Sequence, residues 1–244
     1  MKRDVACGIN AVEALIRQAP ERVIRLWISG GERADALADR ARTAGIAVEH
    51  AAVQRLERLA GGVSHQGVVA EFRSRRAPGE SDLTAMVEQA GSQALVLALD
   101  RVQDPRNLGA CLRSAAAAGA TAVVVPRDRA ATLTPAARRA AAGAAETVPL
   151  VEAANLARAL STLRDAGAWS TGLAAEADLD LYDVDFTGPT VLVIGGEAEG
   201  LRRLTRARCD RLARIPIAAT IESLNASTAA AIALFEVVRQ RRHA

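Results

Sequence analysis

The sequence predicts an α/β protein in which a small N-terminal α/β unit precedes a larger domain built on an open, mostly parallel sheet. Three observations lead there. Short apolar runs alternate with helical patterns from about residue 82 onward, and Ala94–Leu99 carries no polar residue, as a strand buried on both faces requires. The segment Arg73–Ser81 (RSRRAPGES) combines charge, proline and glycine without periodicity and reads as a linker. A chain of 244 residues is long enough for two domains of ordinary size. The predicted division is 1–72, a linker at 73–81, and 82–244.

In the first part, a helix starting at Asn10 and running to Ile16, with Asn10 as its cap, is followed by a strand over Val23–Ile28 and a turn at Gly30-Gly31. A helix over Ala34–Ala44, a strand near Ile46–Val48, a short helix over Val53–Leu59 and a strand over Val68–Phe72 complete it. In the second part, helices are expected over Leu108–Ala118, Pro135–Ala142, Ala154–Ala166 and Ala226–Arg242. Strands are expected over Ala94–Leu99, Ala122–Val125, Trp169–Leu173, Val191–Ile194 and Arg214–Ile217.

Composition removes several functions. Lys2 is the only lysine, so neither a phosphate loop with its lysine nor a pyridoxal Schiff base is available. Aromatic residues make up 2% of the chain, too few for a surface that stacks successive bases. Cys7, Cys111 and Cys209 form no C-x-x-C pair, and His50, His65 and His243 are scattered, so no metal site is expected. No stretch has the 18 apolar residues of a membrane span, and no signal-peptide pattern opens the chain, which together predict a cytoplasmic protein. Net charge is +3, carried by arginine. Arg202, Arg203, Arg206, Arg208, Arg211 and Arg214 crowd one stretch, either as a solvated helix face or as a phosphate-tracking patch.

Three loops fall where a parallel sheet presents its ligands, past the carboxyl ends of strands. The first, LDRVQDPRNLGACLRSA, has Asn107 as a candidate N-cap and Arg113 six residues beyond; an ordinary capped helix would look the same. The second, VLVIGGEAEGL, sets Gly195, Gly196 and Gly200 around Glu197. A dinucleotide fingerprint would need glycine where Glu197 stands, which leaves a flat-ligand cradle or a plain glycine turn. The third, RIPIAATIESLNASTAAAIALFEVV, brings Ser223 and Asn225 to the start of the last helix, where both also suit simple capping.

In order and wording, these three loops resemble the motifs of the SpoU branch of the SPOUT methyltransferases: N-x-G-x-x-x-R, then G-x-E-x-x-G, then an I-P strand leading to S-L-N and a helix. GINAVEALI and HQGVVAEF resemble the small ribosomal-protein-like domain that precedes the catalytic domain in 23S rRNA guanosine 2'-O-methyltransferases. The resemblance implies a deep trefoil knot in the C-terminal domain, a homodimer, S-adenosylmethionine as cofactor and 23S rRNA as partner. It places the cofactor on Gly195, Ile215 and Leu224, with Gly196 and Gly200 in the same loops, and the catalytic group on Arg113, Asn107, Glu197, Ser223 and Asn225. A guanidinium remains protonated, so Arg113 is expected to stabilise developing alkoxide charge at the ribose hydroxyl, oriented by Asn107 and Glu197. His65 and Gln66 either touch RNA or serve as local caps. The chain departs from its relatives at Ala218-Ala219-Thr220, where glycine is usual, and at Ala226 and Thr228, where valine is frequent, which is expected to alter the space around the cofactor. The alternatives are a tRNA ribose methyltransferase of the same family and a non-catalytic RNA-binding assembly factor.

Overall fold

The computed structural model describes residues 3–73, 78–196, 200–218 and 220–243. The chain forms two compact units, Met1–Arg76 together with Thr132–Thr147, and Ala77–Ala131 together with Val148–Ala244.

The first unit runs β1 (Arg3–Cys7), α1 (Ile9–Gln18), β2 (Val23–Ile28), α2 (Glu32–Thr43), β3 (Ala47–His50), α3 (Val53–Ala60) and β4 (Val68–Arg73). Its sheet has the order β1-β4-β2-β3, with β4 antiparallel to both neighbours and β2 parallel to β3. One face buries Leu26, Ile28 and Phe72 against Val12 and Leu15 of α1 and Leu37 of α2; on the other, Leu56 of α3 meets Trp27 and Val69. Two sequence readings are corrected here. β1 was not expected, because Arg3 and Asp4 hide its alternation. Asn10 does not cap α1: Gly8, at φ 92°, takes that position and leaves Asn10 inside the first turn.

The second unit contains α4 (Leu83–Ala90), β5 (Leu95–Asp100), α5 (Pro105–Ala117) and β6 (Ala122–Pro126). After α6 (Pro135–Ala141), which belongs to the first unit, it continues with β7 (Leu150–Ala153), α7 (Leu156–Asp165), β8 (Trp169–Leu173) and β9 (Thr190–Gly195). It ends with α8 (Arg203–Arg206), β10 (Arg211–Ala213) and α9 (Ala226–Arg241). Every pairing in its six-stranded sheet is parallel, in the order β10-β8-β9-β5-β6-β7. All six residues of β5 are buried, as the apolar run required. From β5 the chain builds outward through β6 and β7, then returns to place β9 on the other side of β5. The loops after β5 and β9 therefore leave side by side at the point where the strand order reverses, which is where open α/β sheets bind ligands.

The strand expected at Arg214–Ile217 forms earlier, as β10, and residues 215–218 are irregular. Pro216 has no N–H for a ladder, so this stretch lies outside the sheet.

Residues of the Thr132–Thr147 segment are tied into the first unit by buried charge. Arg138 donates to Asp4 at 2.7 Å and Glu146 at 2.5 Å, Arg22 pairs with Glu146 at 2.9 Å, and both guanidiniums lie within 5.4 Å of the Phe72 ring centre. Each ion is matched, which such burial demands, because a lone charge at this depth would cost several kcal/mol (roughly 3–5). Gly143 lies so close that a Cβ there would stand 2.1 Å from the Cβ of Ala14.

Candidate active site

Asp100 is the last residue of β5 and fully buried, an expensive place for a carboxylate unless it is bonded. It accepts from the Arg202 backbone N–H at 2.9 Å and from its Nε at 2.5 Å, so it holds the chain just past the Gly195–Gly200 loop. Sequence reasoning missed this tie because the partners are 102 residues apart.

In the first loop, Asp104 rather than Asn107 caps α5, its Oδ1 accepting from the Arg106 backbone N–H at 2.8 Å, with Pro105 at the first helical position. Asn107 therefore sits within the first turn, and Asn225 Nδ2 donates to Asn107 Oδ1 at 3.2 Å. Arg113 stands exposed further along α5. In the third loop Asn225 does cap α9, its Oδ1 accepting from the Ser227 N–H at 2.9 Å and hydroxyl at 2.6 Å. Asn225 thus uses its oxygen on its own helix and its amide on α5, coupling the first and third loops with one side chain.

The second loop needs its glycines for close approach. A Cβ on Gly195 would stand 2.2 Å from the carbonyl carbon of Gly200, and one on Gly196 would stand 2.7 Å from the carbonyl oxygen of Arg101. The Gly200 N–H donates to the Gly196 carbonyl at 3.0 Å, with Gly200 at φ +63°. Glu197 lies outside the described residues, as does Ala219.

The second and third loops, with the turn after β8, line a cavity of about 480 Å³. Gly195, Gly196, Gly200, Ile215, Ser223 and Leu224 line it, whereas Asn107, Arg113 and Asn225 do not. Leu173, Ile194, Ile217 and Ala229 add apolar wall, and Glu176, Arg206 and Glu222 add charge. The volume falls in the range of small-molecule sites, about 300–1,000 Å³, and the mixture of aliphatic side chains and open backbone suits a purine nucleoside. Ala226 also lines the wall, while Thr228 is exposed and lines nothing there.

The arginine-rich stretch divides between internal ties and solvent. Arg202 is held by Asp100, Arg206 pairs with Glu176 and Arg214 with Asp180, while Arg203 and Arg208 are exposed. Burial pushes the Cys209 thiol up to about 12 and the Cys7 thiol to about 11, so neither offers a thiolate at neutral pH. No group of three or more His, Cys, Asp or Glu side chains among the described residues is arranged to hold a metal ion. His65 Nδ1 accepts from the Gly67 backbone N–H at 3.1 Å, a local capping role.

Comparison with known proteins bears on this arrangement directly. The model of the SpoU rRNA Methylase family matches residues 94–235, and that of the RNA 2'-O ribose methyltransferase substrate binding domain matches residues 5–78. The 23S rRNA (guanosine-2'-O-)-methyltransferase of Xanthomonas axonopodis pv. citri is 49% identical over 237 residues, covering 96% of this chain and 95% of that one. Among solved structures, the SpoU methyltransferase AviRb from Streptomyces viridochromogenes, crystallised with AdoMet, superposes with a TM-score of 0.81 at 28% identity, covering 98% of this chain and 91% of that one. A structure concerned with 2-OH methylation of C/U34 on tRNA matches at 30% identity with a TM-score of 0.56, covering 62% of this chain and 98% of that one. Fold and cavity together define an RNA 2'-O-ribose methyltransferase. The chain belongs to the SpoU rRNA methylase family.

Proposed function

We propose that this protein transfers a methyl group from S-adenosylmethionine to the ribose 2'-oxygen of a guanosine in 23S rRNA. The observation that carries the reading is the glycine-walled cavity of about 480 Å³, lined by residues of the second and third motif loops, the first loop being tied to the third by the Asn107–Asn225 bond. The rRNA reading over the tRNA one is supported by coverage: the rRNA-enzyme relative matches 96% of the chain, including the N-terminal unit, whereas the tRNA-related structure matches 62%. In this reading residues 1–72 bind RNA, 73–81 link, and 82–244 catalyse, apart from the Thr132–Thr147 segment that packs with the first unit, in the cytoplasm and with the trefoil knot of the family.

S-adenosylmethionine supplies an already activated methyl group on sulfonium. The residues present fit it: Gly195, Gly196 and Gly200 offer backbone at close range, and Ile215 and Leu224 offer apolar surface. The protein's remaining tasks are alignment and the handling of one proton and one developing negative charge. Arg113, oriented by Asn107 and Glu197, stabilises the charge that grows on the ribose oxygen as its proton leaves to solvent, while Ser223 and Asn225 hold the nucleotide and the loops around it.

A homodimer is part of the same reading. Between Ala229 and Val238 helix α9 is apolar on every side except at Glu236, which is ordinarily the mark of a helix segment covered all round. Ala230, Ala233, Leu234 and Val237 face the core, yet Phe235 remains 48% exposed on a stripe with Ala231, Ile232 and Val238. Sedimentation is expected to give a dimer for the wild type and a monomer for Phe235→Arg; a wild-type monomer at micromolar concentration contradicts the dimer. The activity itself is tested by supplying the cofactor with unmodified 23S rRNA or with bulk tRNA and analysing the methylated nucleosides.

A further inference from the structure

Glu176 stands in the turn after β8, and Arg206 is the last residue of α8; the two form an ion pair at the cavity wall, at the side remote from β5. Among the described lining residues, Arg206 is the only cation, Glu176 and Glu222 the only carboxylates, and Ser223 the only hydroxyl. Everything else in the wall is aliphatic side chain or glycine. The pair is well hydrated, with 39% of the Arg206 side chain and 62% of the Glu176 side chain exposed. An ion pair in such a setting adds little to stability, so exchanging it for contacts to a ligand costs little.

The proposed cofactor has one flat, largely apolar end and one zwitterionic amino-acid end. The glycine and aliphatic wall suits the first. A ribose diol next to the pair would engage the carboxylate and leave the guanidinium without a new anion. An amino-acid zwitterion satisfies both charges at once, because it carries a carboxylate and an ammonium on one and the same carbon.

We propose that Glu176 and Arg206 form the subsite for the amino-acid end of the cofactor, Arg206 donating to its α-carboxylate and Glu176 accepting from its α-ammonium. The inference rests on the cofactor reading above and deepens it. It also gives Arg206 a part different from the phosphate-tracking patch that its neighbourhood in sequence suggested.

Calorimetric titration with two ligands separates the possibilities. S-adenosylhomocysteine carries the amino-acid end, whereas 5'-methylthioadenosine keeps the adenosine and thioether but lacks it. Arg206→Ala is expected to weaken S-adenosylhomocysteine by about tenfold or more, the loss of a charge-assisted hydrogen bond, and Glu176→Gln by several-fold (about three to ten). Binding of 5'-methylthioadenosine is expected to change by less than about twofold in either variant, which also reports that the cavity remains folded. An equal loss for both ligands, or unchanged S-adenosylhomocysteine binding in Arg206→Ala, overturns the assignment. Failure of the wild type to bind either ligand overturns the cofactor reading itself, and the subsite with it.

Discussion

Arg113→Ala is expected to lower kcat by about 10²–10³-fold, the usual cost of removing one donor aimed at developing negative charge, while leaving S-adenosylhomocysteine affinity unchanged. The separation follows from geometry: Arg113 lies exposed on α5 and does not line the cavity. Arg113→Lys distinguishes two ways of supplying charge. A lysine keeps the positive charge but loses the planar fork that can face an oxygen and a phosphate together, so turnover is expected to stay at least about tenfold below wild type. Single-turnover measurement at saturating cofactor and RNA reads the chemical step. Near-normal turnover in the lysine variant would show that a point charge suffices and that the fork has no role.

Gly195→Ala is expected to remove measurable cofactor binding and to lower stability by about 1–3 kcal/mol, the range for forcing extra volume into a packed site. The contact it creates is with backbone: the new Cβ would meet the Gly200 carbonyl carbon at 2.2 Å and the Leu201 nitrogen at 2.5 Å. No flexible side chain can swing aside there, so the Gly195–Gly200 loop itself must move. Gly188→Ala is the matched control, since nothing lies within 4 Å of its Cβ position. Titration of both variants with S-adenosylhomocysteine, alongside chemical denaturation, separates loss of the cradle from loss of the fold. Wild-type affinity in Gly195→Ala would mean that the loop has slack and does not shape the cavity.

Much of this architecture is legible in the sequence because the second unit relies on strands buried on both faces. Runs such as Leu95–Leu99 and Val191–Ile194 carry no solvent-facing polar position, so they stand out without any periodicity. Loops that follow such strands can be placed by their glycines, and Gly195, Gly196 and Gly200 do lie on the cavity wall. What escaped depends on distance along the chain. Asp100 and Arg202 meet across 102 residues, and Arg138 meets Asp4 across 134, and no local pattern marks either partner. Asn107 looked like a cap because its type and position suit one, but Asp104-Pro105 competes for the same role three residues earlier and wins it. With Asp104 as the cap, Asn107 Oδ1 accepts from Asn225 Nδ2 and ties the first loop to the third. The trefoil knot that the resemblance implies is of a different kind again. Chain threading is set by the order in which segments pass each other, and neither hydropathy nor propensity encodes it, so only the joint resemblance of three loops could suggest it.

The most direct test of the account is to incubate the purified protein with S-adenosylmethionine carrying a labelled methyl group and 23S rRNA lacking its modifications, then digest the RNA to nucleosides and identify the labelled one. The account predicts 2'-O-methylguanosine from 23S rRNA, none from bulk tRNA, and a loss of about 10²–10³-fold in its rate of formation with Arg113→Ala. Label on a base, on another ribose, or on tRNA in place of 23S rRNA would contradict it.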